Sequence, residues 1–142
     1  MPTERAHVGL AVRNQRTIDY LLADPAAHAE WLATIAFYKA LHIIEAIFAR
    51  DPQLGHGQDH GHRERLLKRN PQFDHIRGHY MKLKWASMVA RYLSDNQSDY
   101  SGFCDYMTPD DVVSKLLRGS LNEVQKSARK FLSAESWQTL GL

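Results

Sequence analysis

The sequence predicts an all-α protein of four long helices and a short one, most simply an up-and-down bundle. Three observations carry this. Apolar residues recur at spacings of three and four through most of the chain. No segment of convincing length alternates apolar with polar, and no internal repeat is visible. Pro and Gly are sparse and fall between the periodic stretches.

The elements follow in order. A first helix is expected from about Val8 or Arg13 to Leu22. Asp24-Pro25 reads as an N-cap and first helical position for a second helix that runs to Arg50. Trp31, Ile35, Tyr38, Leu41, Glu45 and Phe48 form its stripe, widened by Ile44 and Ile47, so it belongs in the middle of the fold, with Trp31 in the core. Asp51 to Gly61 is a Gly- and His-rich loop. A short helix from His62 to Lys68 stops at Asn70-Pro71. A long helix from about Phe73 to Leu93 turns Ile76, Tyr80, Leu83, Ser87 and Ala90 inward, with Trp85 off that stripe. After a polar connection, Thr108-Pro109-Asp110-Asp111 starts the last helix, which reaches towards Phe131. Threonine caps it, proline sits at N1, and the carboxylates meet its positive end.

The chain of 142 residues fits one domain, 1–142, with a core of about 13–131 and a flexible tail over 132–142. With 44% apolar and 24% charged residues it has globular composition. No apolar run approaches the ~18 residues of a spanning helix. The N-terminus leads into no secretory h-region, so a cytoplasmic location is expected. A single Cys104 excludes an intrachain disulfide and a cysteine-built zinc site.

Charge is uneven. Residues 63–91 carry a balance of +6 between flanks of −2 each, and five of the eight histidines lie in or just before that block. Such a block suits phosphate or an RNA backbone. Histidine can exchange protons near neutrality, and arginine can hold a phosphate with paired donors, which is what cleavage of RNA by its own 2′-hydroxyl needs without metal. His62 and Arg65 share one face of the short helix, and His42 and Glu45 sit three apart on the central one, where Glu45 can orient a histidine or pair with Arg65.

The run Ala36-Phe37-Tyr38-Lys39-Ala40-Leu41-His42-Ile43-Ile44-Glu45-Ala46 resembles the signature helix of bacterial HEPN-domain proteins, named for higher eukaryotes and prokaryotes nucleotide-binding. The resemblance continues through His62-Arg63-Glu64-Arg65, Ile76 to Tyr92, and Tyr106-Met107-Thr108 with Asp111-Val112, covering about residues 31–121. It implies a four- to five-helix bundle that forms homodimers. Catalytic members are metal-independent ribonucleases with Arg-x(4–6)-His motifs, often with a polar residue after the arginine, meeting across the dimer; Arg69-Asn70-Pro71-Gln72-Phe73-Asp74-His75 matches that motif, polar residue included, and Arg50 to His56 is a second Arg-x(5)-His stretch. Others bind nucleotides, pair with nucleotidyltransferases in toxin–antitoxin modules, or join defence and CRISPR-linked assemblies.

The expected function is therefore binding of RNA or nucleotide in a bacterial defence or toxin–antitoxin setting, with ribonuclease activity carried by His62, Arg65, Arg69 and His75. Arg63, Lys68 and Arg77 would hold phosphate, with His42 and Glu45 in support. The competing reading is a non-enzymatic adaptor of a larger nucleic-acid-associated complex. A third is a His-rich metal-binding protein using His56, His60 and His62 with Asp59. No cofactor, metal ligand or membrane association is assigned.

Overall fold

The computed structural model describes residues 2–55 and 57–142. It is all-helical; among the described residues the nearest thing to a strand is one isolated antiparallel bridge between Ser94 and Asp99. Helix α1 (Glu4–Leu21) starts earlier than the sequence suggests, because Thr3 caps it, its Oγ1 accepting the Ala6 N–H at 3.1 Å. Asp24-Pro25 does not open the next helix. Asp24 accepts the Ala27 N–H at 3.3 Å within a turn, and α2 (Ala29–Arg50) begins at Ala29.

Helix α2 is the hub. It packs on α1, on α4 (Asp74–Tyr92), on the wide π-helical segment Val112–Leu121 and on α7 (Asn122–Ala128). Its Ala33, Ala36 and Ala40 are fully buried, and these small side chains let neighbouring backbones approach closely. By length and mean composition helix α2 is apolar enough to cross a membrane, although Lys39 and Glu45 interrupt its apolar run, and most of that stretch is buried inside the bundle. Its core face runs through Leu32, Phe37, Ile43, Ile44 and Phe48. The stripe through Trp31, Ile35 and Tyr38 is a flank, so Trp31 is 62% exposed instead of lying in the core.

Helix α3 (His60–Arg69) begins two residues early because Asp59 caps it, accepting the His62 N–H at 2.7 Å. A 3-10 turn, Pro71–Phe73, leads into α4, which ends on Leu93 in the left-handed region, φ 56°. The connection to the last helix contains a short α5 (Phe103–Tyr106) that buries Phe103. Thr108 does cap the last helix, its Oγ1 accepting the Asp111 N–H at 3.2 Å. The helix then runs as α6 (Pro109–Asp111), the π segment, α7 and a 3-10 turn, Arg129–Phe131.

The C-terminal segment, expected to be flexible, forms α8 (Ala134–Thr139) docked on α1. Its entry is fixed by the Ser133 N–H donated to Glu4 Oε1 at 2.8 Å and by Arg129 over the Trp137 ring at 4.1 Å.

Candidate functional site

The proposed site residues separate into three groups. The first is a buried polar knot between α2, α3 and α4. Glu45, 1% exposed, accepts from Arg63 Nε at 2.6 Å and from the Gly57 N–H at 3.2 Å. Arg63 also contacts His60 Nδ1 at 3.1 Å, and its charge acts on the Tyr80 hydroxyl. This corrects two expectations. Arg63 is buried in an ion pair instead of holding phosphate, and Glu45 pairs with Arg63, not Arg65.

Burial and the Arg63 charge hold His42 below the ordinary histidine range, despite Glu45. His42 Nδ1 lies 3.3 Å from His7 Nδ1, with the two rings stacked. Burial pushes the Tyr80 hydroxyl up to about 12 against the pull of Arg63. The knot joins three elements, and its carboxylate and guanidinium are satisfied by each other. That is a structural role.

The second group is the outer face of α3. Arg65, Lys68 and Arg69 are exposed there, and Arg77 is half-buried on α4. Among the described residues no carboxylate forms an ion pair with Lys68, Arg69 or Arg77. His62 Nδ1 accepts the Gln58 N–H at 3.1 Å, and Arg65 is near the Asp59 carboxylate. Of the loop histidines, His60 lies against Phe37 and Arg63, while His56 is outside the described residues. The second Arg-x(5)-His stretch ends on His56 and so also falls partly outside them.

The third group lies between α4 and the last helix. His75 Nε2 is 3.0 Å from Glu123 Oε2, and its ring meets His79 edge-on at 4.8 Å between centroids. His79 Nδ1 contacts Ser120 Oγ at 3.3 Å. Among the described residues no hydrogen bond joins His62, Arg65, Arg69 and His75 to one another; His75 is engaged with Glu123 instead of Arg69.

Beside this group opens a cavity of about 500 Å³ lined by His79, Lys82, Trp85, Tyr106, Met107, Lys115, Leu116, Gly119, Ser120 and Glu123. On α4, residues 75, 79 and 82 follow the i, i+4, i+7 rule and share one face beside the buried stripe. Opposite them, the π segment places Lys115, Gly119 and Ser120 along one wall. Gly119 matters to this wall: a Cβ there would stand 3.3 Å from the Ser114 carbonyl oxygen, five residues back. A π-helical stretch in a helix frequently marks a functional site.

No known protein family, curated protein or solved structure matches the chain. The site therefore rests on its own geometry. Sequence reasoning passed over Lys82, Tyr106, Lys115, Ser120 and Glu123. The spacing of His75 and His79 is legible as an i, i+4 pair. Glu123, 48 residues beyond His75, carries no sequence signal that ties it to them.

Proposed function

We propose that this chain binds RNA or a nucleotide, with a base in the cavity between α4 and the π segment. The observation that carries the reading is the cavity's lining. Trp85 and Tyr106 offer aromatic surface on which a base can stack, and Lys82 and Lys115 offer positive charge for phosphate. A cavity of about 500 Å³ suits one nucleotide. The exposed Arg65, Lys68 and Arg69 of α3 add positive charge that would draw a polyanion towards the molecule.

The resemblance to HEPN-domain proteins supports the same ligand class. With it come the homodimer and the defence or toxin–antitoxin setting. Binding, without cleavage by this protomer alone, is the form the geometry favours. His75 is taken up by Glu123, and the Arg63 once assigned to phosphate is buried. Ribonuclease activity on this reading needs side chains of a second protomer.

The test is fluorescence anisotropy of a labelled single-stranded RNA at several salt concentrations. The account predicts salt-dependent binding, weakened and with a shallower salt slope in Lys82→Ala/Lys115→Ala, because fewer counterions are released. Affinity and slope unchanged in that folded variant would remove the cavity from the proposal. Incubating the same RNA with the protein in EDTA reads cleavage in parallel.

A further inference from the structure

We propose that His75, His79 and Glu123 form a binding site for a borderline divalent metal ion, of the zinc class, at the mouth of the α4–π cavity. One potential ligand atom from each of the three residues lies within 4.8 Å of the others. The closest pair, His75 Nε2 and Glu123 Oε2, is 3.0 Å apart. Ligands held about 2.1 Å from a tetrahedral ion stand about 3.4 Å from one another. The observed cluster therefore needs only side-chain rotation to close on an ion.

Backbone placement supports the same conclusion. The two histidines are i, i+4 on one face of α4, an arrangement that aims both imidazoles at one point. Helix α7 brings the carboxylate from the opposite side. The groups behind the ligands are also in place. Ser120 Oγ sits 3.3 Å from His79 Nδ1 and orients that ring. Lys126 holds the other Glu123 oxygen at 3.6 Å, leaving Oε2 directed at His75.

Two imidazoles and a carboxylate without a thiolate select ions that accept mixed nitrogen and oxygen ligands. Three protein ligands leave a coordination position open. His75 is 59% exposed at its side chain, and His79 and Glu123 both line the cavity, so that position faces solvent and the cavity mouth. Water or a phosphate oxygen can occupy it. This site differs from the loop histidines considered from the sequence, since His60 and His62 have their Nδ1 atoms engaged by Arg63 and the Gln58 N–H.

The inference stands apart from nucleotide binding and is tested with metal alone. Protein stripped with EDTA and dialysed is titrated with zinc by calorimetry, and with cobalt(II) followed by its visible absorption. The expected result is one zinc per chain, with at least tenfold weaker binding in His75→Ala and in Glu123→Gln. His75 is exposed and Glu123 half-exposed, and circular dichroism checks that the variants fold. His60→Ala/His62→Ala should bind like wild type. Equal affinity in wild type and His75→Ala, loss only in the loop variant, or no stoichiometric binding would each overturn the assignment. RNA binding in EDTA remains a separate measurement, so failure of one proposal is not failure of the other.

Discussion

At the scale of single residues, the Glu45–Arg63 pair decides whether α2, α3 and the loop before α3 hold together. Both charges are nearly sealed from water, and each satisfies the other. Glu45→Ala leaves the guanidinium buried without its carboxylate and removes the acceptor for the Gly57 N–H. Such a break costs about 3–5 kcal/mol, read as a fall in urea midpoint at constant m-value. Replacing both partners, as Glu45→Leu with Arg63→Met, should cost less than Glu45→Ala, because no lone charge is left buried. A double variant as unstable as the single one would contradict this assignment of the cost.

Gly57 belongs to the same knot. A Cβ there would collide with Glu45 Oε1, so Gly57→Ala should also destabilise. The sequence marked Glu45 as a polar residue on an apolar helix but misassigned its partner. Arg63 and Arg65 are both within reach of a sequence argument, and only the helical phase set by the Asp59 cap turns Arg63 inward. The same phase puts Arg65 outside.

At the scale of elements, the last helix is where sequence and structure agree at the start and part in the middle. Its beginning was legible because Thr108-Pro109-Asp110-Asp111 combines a side-chain cap, a proline without an N–H and carboxylates at the positive end. Thr108→Ala should cost about 1 kcal/mol in chemical denaturation by leaving the Asp111 N–H without its acceptor. An unchanged midpoint would mean that water replaces the threonine fully.

The π segment was not legible. Its apolar pattern of Val112, Leu116 and Leu121, continued by Val124 of α7, reads equally well as an α-helix, since the period differs by less than a residue per turn. The consequence is functional, because the wider turn forms one wall of the cavity. Helix α8 was missed for another reason: six residues are too few to show periodicity, and its docking depends on Glu4, at the far end of the chain. The all-helical class and the central place of α2 were legible because they follow from long periodic stretches, which tertiary context does not overturn.

At the scale of the whole molecule, buried ionisable groups set the response to pH. Lys39 is 3% exposed, donates to Gln15 at 2.6 Å and to Gln125, and burial lowers it from 10.5 to about 8 despite Asp19. Below about pH 8 both states carry the proton and the native state bears the full cost of a buried ammonium. Between about pH 8 and about 10.5 the unfolded chain binds more protons, so this group makes stability rise with pH, by at most roughly 3 kcal/mol. Tyr80 acts in the opposite sense at higher pH. Its folded value is raised from 10.0 to about 12, so stability falls once the unfolded tyrosine ionises.

Urea midpoints of wild type and Lys39→Met, taken from pH 7 to about 10, isolate the lysine. Wild type should gain on the variant as pH rises through about 8. Parallel curves would show that the ammonium is solvated in the folded protein.

The same scale governs ligand attraction. The sequence located the excess positive charge correctly between residues 63 and 91. It did not show that part of it, Arg63, is internal, or that α4 turns Lys82 towards the aromatic cavity. That convergence of lysines with Trp85 and Tyr106 is the central claim about function. The measurement that tests it most directly is the affinity of a short single-stranded RNA for wild type and for Trp85→Ala at one fixed salt concentration. Loss of one stacked base is worth about 1–3 kcal/mol, so binding should weaken by roughly five- to a hundredfold. Equal affinities, with both proteins folded, would place RNA elsewhere on the molecule and contradict the account.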